Sequence, residues 1–177
     1  MAAVRHNGGV PGRSVAHIAI GAVVGAFSWT ATEYGAHRWL LHGPFGKGQL
    51  KNVPLGGRHR AHHAEPLCTS LPARTAGHVA IMGLAAVTSV GLARIAPLLG
   101  ARAAAAAWSG GYSIYEIIHW NAHHRPARTV WGGRLRERHM RHHFGAPKAN
   151  LGVTTSFWDR VFSTEAPAAA PTNAIAT

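Results

Sequence analysis

The sequence is poor in acid and in sulfur. Only six carboxylates (Glu33, Glu65, Glu116, Glu137, Asp159 and Glu165) stand beside fourteen histidines. Any metal centre with several protein ligands must therefore be dominated by imidazole, and the composition argues against a carboxylate-bridged helical-bundle site. A single cysteine, Cys68, excludes an internal disulfide and a cysteine-rich zinc module. The shortage of acid also leaves eighteen Lys and Arg with a formal net charge of +12. Charge of this kind suits nucleic acid, an anionic membrane face or acidic ligands. No nucleic-acid-binding motif accompanies it and the aromatics are not patterned for base stacking, so no nucleic-acid partner is expected. A cleavable leader is not expected either: the apolar run after Arg5 and Arg13 flows into Glu33 and His37 without a small-residue cleavage site.

What the chain does contain is apolar runs alternating with basic, histidine-rich stretches. Residues 15–32, 76–99 and 103–118 are the apolar segments, and the first reaches the lower end of the ~17–25 residues needed to cross a bilayer. Pro97 and Gly100 mark a turn between the second and third, which together read as a helical hairpin. The third begins in poly-alanine, a strong helix former, and is weakened by the pair Gly110-Gly111. One crossing followed by a hairpin returns residues 33–74 and 119–177 to the same side. Fourteen of the eighteen Lys and Arg lie in those two stretches, which makes that side cytoplasmic by the positive-inside rule. Arg94 and Arg102 flank the far turn and run against this, although long side chains near helix ends can snorkel. The competing reading is three buried helices of a soluble core. The expected organisation is an N-terminal segment (1–14), an all-α membrane domain (15–164), and an Ala/Pro/Thr-rich disordered tail (165–177).

Eleven histidines fall into four groups: His37 and His42 in HRWLLH; His59, His62 and His63 in HRAHH; His119, His123 and His124 in HWNAHH; His139, His142 and His143 in HMRHH. On a helix, residues three or four apart share a face, so each of the last three groups presents imidazoles in one direction. His37 and His42 are five apart and point roughly 140° away from one another on a regular helix. They serve different metals or straddle a distorted turn. So many imidazoles exceed what one ion can use and match two ions. Softness alone leaves iron, zinc, copper and nickel open. His124 is the weakest of the set, because His123 already lies on the His119 face. His6, His17 and His78 stand outside the groups and read as ordinary residues.

Carboxylates sit where the outer ring nitrogens of such ligands want acceptors: Glu33 four residues before His37, Glu116 three before His119, and Asp159 after Trp158. Arg58, Arg60, Arg134, Arg136, Arg138 and Arg141 suit membrane topology first, and a lipid anion or an acidic electron carrier second. Trp39, Trp120, Trp131, Phe157 and Trp158 read as interface anchors ahead of an acyl groove.

Taken in order, EYGAHRWLLH (33–42), HRAHH followed by AEP (59–66), YEIIHWNAHH (115–124) and HMRHHFGAPKANLGVTTSFWDRVFST (139–164) resemble the membrane fatty acid hydroxylase and sterol desaturase superfamily, and within it the fatty acid 2-hydroxylases. A single HxxHH would be weak evidence, whereas the ordered set is specific. The resemblance implies a helical integral membrane protein with a cytosolic histidine-rich cap that binds two irons, sites that zinc can fill on isolation. It implies a non-haem di-iron monooxygenase that uses O2 to hydroxylate lipid acyl chains, with no catalytic side chain beyond the metal ligands. Many eukaryotic relatives carry a fused haem-cytochrome domain, and no such segment is present here, so a separate ferredoxin- or cytochrome-type electron donor is expected. The alternatives are a sterol or carotenoid hydroxylase or desaturase, and a non-catalytic metal-binding membrane protein.

Overall fold

The apolar runs 15–32 and 103–118 hold no proline, which favours helix, and both are helical. The computed structural model describes residues 11–44, 47–50, 54–67, 79, 83, 87 and 99–167. In chain order these give α1 (Pro11–Gly35), a π-helical turn (Ala36–Leu41), a short 3-10 turn (Gly48–Leu50), α2 (Pro54–Ala64), α3 (Leu99–His124), α4 (Val130–Phe144) and α5 (Phe157–Val161). The all-helical expectation holds among the described residues. Pro11 and Pro54 open their helices, where a missing N–H costs nothing. Thr129 caps α4 by accepting the Gly132 N–H at 3.0 Å.

The chain divides into two compact units, residues 1–32 with 68–116, and residues 33–67 with 117–177. In the first unit, small residues let two helix backbones meet. A Cβ placed on Gly21 would collide with the carbonyl of Gly100, and one on Gly25 with the carbonyl of Ala104. Gly21-xxx-Gly25 on α1 thus faces Gly100-xxx-Ala104 on α3, the small-residue spacing by which helices pack closely in lipid. One turn further along α1, Trp29 is 7% exposed and meets Trp108 and Tyr112 edge to face at 5.2 and 5.6 Å. Gly110-Gly111 was expected to weaken the third apolar segment, yet α3 runs through it. Gly111 is instead the notch that receives the Trp29 ring, with no room for a Cβ.

The opposite face of α1 is apolar and outward: Val15, Ile18, Ile20, Val23, Val24 and Phe27 are all exposed. Such a surface suits lipid rather than water. Among the described residues one helical stretch, Val15–Leu41, is long and apolar enough to cross a membrane. It extends past the expected 15–32 segment into the π-helical turn. The expected span 76–99 falls outside the described residues except at positions 79, 83, 87 and 99. The expected span 103–118 is helical within α3, but Ser109, Gly110, Gly111, Ser113 and Glu116 dilute its apolarity. Of the tail expected over 165–177, residues 168–177 lie outside the described residues. Glu165 pairs with Arg138 and Arg160, and the Ala166 N–H donates to Asn150 Oδ1 at 3.1 Å.

Two glycine substitutions separate this packing from helix propensity. Gly25→Leu wedges α1 from α3 and should destabilise the protein by about 1–3 kcal/mol. Gly110 has nothing within 4 Å of an added Cβ, so Gly110→Ala should be neutral or stabilising. Thermal unfolding in mild detergent checks this, and equal melting temperatures for the two variants would contradict the packing.

Candidate metal centre

Four helical segments of the second unit carry the grouped histidines, and local backbone geometry decides which way each ring points. The first pair depends on a distortion. The segment Ala36–Leu41 is wound as a π-helix, and the His42 N–H donates to the His37 carbonyl at 3.1 Å. An i→i+5 bond brings residue i+5 over residue i, so the 140° divergence of a regular helix is cancelled. Of the two readings left open by the sequence, the distorted turn is the one observed, and both rings join one group.

The HxxHH triads do not each point in one direction, as their spacing first suggested. His59 and His63, four apart, stay together, while His62 turns to a different group. His139 and His143 likewise stay together and His142 crosses over. Adjacent residues on a helix diverge by about 100°, so a triad can serve two centres from one turn. The result is two quintets, His37, His42, His59, His63 and His142 in one, and His62, His119, His123, His139 and His143 in the other. Within each, the candidate ligand nitrogens lie within 4.8 Å of one another. The quintets adjoin, because the His63 and His143 rings stack with centroids 4.1 Å apart.

Proton counting shows that these rings fit a cation. In the first quintet, five Nε2···Nε2 contacts join His37–His59 (3.0 Å), His59–His42 (2.9 Å), His42–His142 (3.0 Å), His142–His63 (3.1 Å) and His63–His59 (3.1 Å). A neutral imidazole carries one N–H. His37 and His142 commit theirs at Nδ1, to the carbonyls of Leu151 at 2.5 Å and Ala149 at 2.8 Å. Three rings at most can then donate across five contacts, so at least two contacts set lone pair against lone pair. Extra protons would relieve this, but burial opposes them. Desolvation, reinforced by His63 and Lys47, lowers the His42 pKa to about 4, and desolvation takes His142 to about 3. A bound cation removes the conflict. With metal–nitrogen distances of about 2.1 Å, neighbouring octahedral donors stand about 3.0 Å apart, close to the spacing seen.

The second quintet gives the same indication. His62 and His119 approach at 3.0 Å and His123 and His139 at 2.8 Å. Both ring nitrogens of His143 are buried without a hydrogen-bond partner, an arrangement that is costly unless something else occupies the lone pair. Desolvation first, then neighbouring imidazoles, lowers His123 to about 3 and His143 to about 2.

Two of the expected carboxylate partners, Asp159 and Glu33, act one step removed from the rings. Asp159, fully buried, accepts the N–H groups of Leu151 (2.8 Å) and Gly152 (2.9 Å), with Arg138 on its second oxygen at 2.9 Å. Glu33 accepts the N–H groups of Val153 (2.6 Å) and Thr154 (2.9 Å) and the Thr154 hydroxyl (2.5 Å). Neither touches an imidazole. They hold the 149–154 loop, whose carbonyls orient His37 and His142. Sequence reasoning missed these carbonyls because they belong to backbone. The turn signal Asn150-Leu-Gly152 was the available clue: Asn150 adopts φ 54°, a conformation asparagine tolerates, and a Cβ on Gly152 would collide with the Thr155 carbonyl. Glu116 accepts from the Tyr112 hydroxyl at 3.0 Å. His124 belongs to neither quintet; its ring stacks on Trp120 at 4.7 Å and its Nδ1 bonds the Trp120 carbonyl at 3.0 Å.

Comparison with known proteins identifies relatives of the chain. Residues 22–164 match the family model described as fatty acid hydroxylase. A dihydroceramide fatty acyl 2-hydroxylase of Arabidopsis thaliana is 32% identical over 154 residues, covering 82% of this chain and 61% of that protein. A ceramide very long chain fatty acid hydroxylase of Schizosaccharomyces pombe is 30% identical, covering 82% of this chain and 42% of its own length. The solved structure of full-length scs7p, in which only the hydroxylase domain is visible, superposes with a TM-score of 0.68 at 28% identity, covering 89% of this chain and 59% of that one. The chain thus spans between 42% and 61% of the length of these relatives.

The lowered histidine pKa values set a pH dependence for the metal-free protein. Below the ordinary value of about 6.5 the unfolded chain takes up protons that the folded quintets refuse. Stability is therefore highest above pH 6.5 and is lost as pH falls toward about 4, where His42 begins to protonate. Unfolding of metal-stripped protein should show this loss already between pH 6.5 and 5, above the usual carboxylate range. A flat profile there would contradict the buried, neutral rings.

Proposed function

The chain belongs to the fatty acid hydroxylase family, and we propose that it is an integral-membrane, O2-dependent monooxygenase that hydroxylates lipid acyl chains at a di-iron centre held by ten histidines. The observation that carries this reading is the convergence of ten buried or half-buried imidazoles into two adjoining quintets. His37, His42, His59, His63 and His142 hold one ion, and His62, His119, His123, His139 and His143 the other. His124 is left out, since its ring is engaged with Trp120.

Oxidising an unactivated C–H bond requires more than a side chain can supply, and redox-active metal ions provide it by activating dioxygen. In the overall reaction one oxygen atom enters the C–H bond and the other leaves as water, consuming two electrons and two protons. The polypeptide's contributions are orientation, neutrality and dryness. His37 and His142 give their Nδ1 hydrogens to the 149–154 loop and so aim Nε2 lone pairs inward. Asp159 and Glu33 fix that loop. Burial keeps rings such as His42, His123, His142 and His143 unprotonated and available as donors at neutral pH. Electrons come from a ferredoxin- or cytochrome-type carrier. Zinc fits the same nitrogens and would occupy them without supporting turnover.

The substrate is an acyl chain of a fatty acid or a ceramide-like lipid. The relatives' names, dihydroceramide fatty acyl 2-hydroxylase and fatty acid 2-hydroxylase, make carbon 2 the first position to examine. In this reading the α1 helix anchors the protein, and the excess of Lys and Arg around the histidine groups supports a cytoplasmic face for them by the positive-inside rule.

Lipid profiling of expressing cells supplied with 18O2 tests the reading. Wild type and His78→Ala should accumulate acyl chains carrying one labelled hydroxyl, while His142→Ala and His62→Ala should lose the product by at least two orders of magnitude and bind less iron. Labelled sterols or carotenoids with unchanged acyl chains would shift the substrate class. Metal-loaded protein that consumes no oxygen with reductant and lipid would mark it as a non-catalytic metal-binding protein.

A further inference from the structure

The arginines of residues 117–177 differ in their partners. Arg138 is paired with Asp159 and Glu165, Arg141 with Glu137, and Arg160 with Glu165. Arg125, Arg128 and Arg136 have no carboxylate partner among the described residues. Arg125 lies over the Trp120 ring at 4.9 Å, Arg128 is exposed, and Arg136 holds a buried Nε with no hydrogen-bond partner. In a chain this basic such an imbalance would mean little if the three were scattered. They line one cavity of about 320 Å³ between the end of α3 and the start of α4, with Ile118, Leu135 and Trp131 as its apolar wall. A larger, more open hollow of about 900 Å³ shares Arg125 and Arg136 and reaches His123 of the second quintet.

Unpaired guanidinium groups on one side and hydrocarbon on the other describe a receptor for an amphiphile with an acidic head, since guanidinium matches carboxylate and phosphate geometry. We propose that this cavity binds the anionic head, carboxylate or phosphate, of an acidic lipid substrate, the fatty acid rather than the ceramide-like form of the hydroxylase reading, because a ceramide head is uncharged. This deepens the hydroxylase reading and rests on it for the identity of the ligand. Because the adjoining hollow runs from Arg125 and Arg136 to His123, carbons close to the head are the ones delivered to the metal centre. Arg136 is thereby a specificity-determining residue, with Arg128 at the rim.

Calorimetric titration of the metal-loaded full chain in uncharged detergent tests this, using decanoate, decyl phosphate, decanol and inorganic phosphate as probes. The two anionic amphiphiles should bind at least tenfold more tightly than decanol. Arg128→Gln and Arg136→Gln should each weaken them about tenfold, the effect of one charged hydrogen bond, without changing decanol affinity or bound metal. Arg134→Gln, on an exposed arginine of α4, should change nothing. Should Arg136→Gln lose metal, the exposed Arg128 variant decides the matter. Equal affinity for decanol and decanoate, or undiminished anion binding by the variants, overturns the proposal. So does inorganic phosphate binding as tightly as decyl phosphate, which would mark a simple ion site. Weakened binding to phosphatidylglycerol vesicles with unchanged decanoate affinity would mark a membrane contact and also overturn it. Binding is read without turnover, so a protein that binds decanoate yet makes no hydroxylated lipid would contradict the hydroxylase reading and leave this site standing.

Discussion

Ten imidazoles gathered in two quintets, with the candidate ligand nitrogens of each within 4.8 Å of one another, form an arrangement that neutral histidine cannot satisfy by itself. Each ring brings one N–H, two of them are committed to backbone carbonyls, and burial keeps further protons away. The remaining lone pairs face each other in a dry interior, where an unmatched polar group is most costly. Cations resolve that conflict, and much else in the second unit serves to hold it in place. The π-helical turn, the split triads and the loop clamped by two carboxylates all set the direction of a ring.

The sequence showed the ingredients of this centre more clearly than their division. Four histidine groups with helical spacing announced a site for two metals, because no single ion uses so many donors. The allocation was hidden for two reasons. A π-turn is invisible in a six-residue string such as HRWLLH, although a histidine pair five apart left it open. The triads follow a second rule, in which the i and i+4 members stay together and the intervening His62 or His142 rotates to the neighbouring group. Helical angles allow this division, but only the placement of the facing helices selects it.

The carboxylates teach a related lesson. Glu33 and Asp159 lie near the site as their positions in the chain suggested, yet they reach the rings through the backbone of residues 149–154. Spacing arguments pair side chains with side chains, and a carbonyl that orients an imidazole leaves no mark in composition. The apolar segments 15–32 and 103–118 were legible as helices for simpler reasons of propensity and length. What they did not show was that Gly111 is a seat for Trp29 rather than a flaw in α3, a matter of what lies opposite rather than of the residue itself.

The most direct test is metal analysis of purified protein loaded with iron, combined with X-ray absorption at the metal edge. The account predicts two ions per folded chain, each surrounded mainly by imidazole nitrogen. A single ion per chain, or nearest neighbours dominated by carboxylate oxygen, would contradict it.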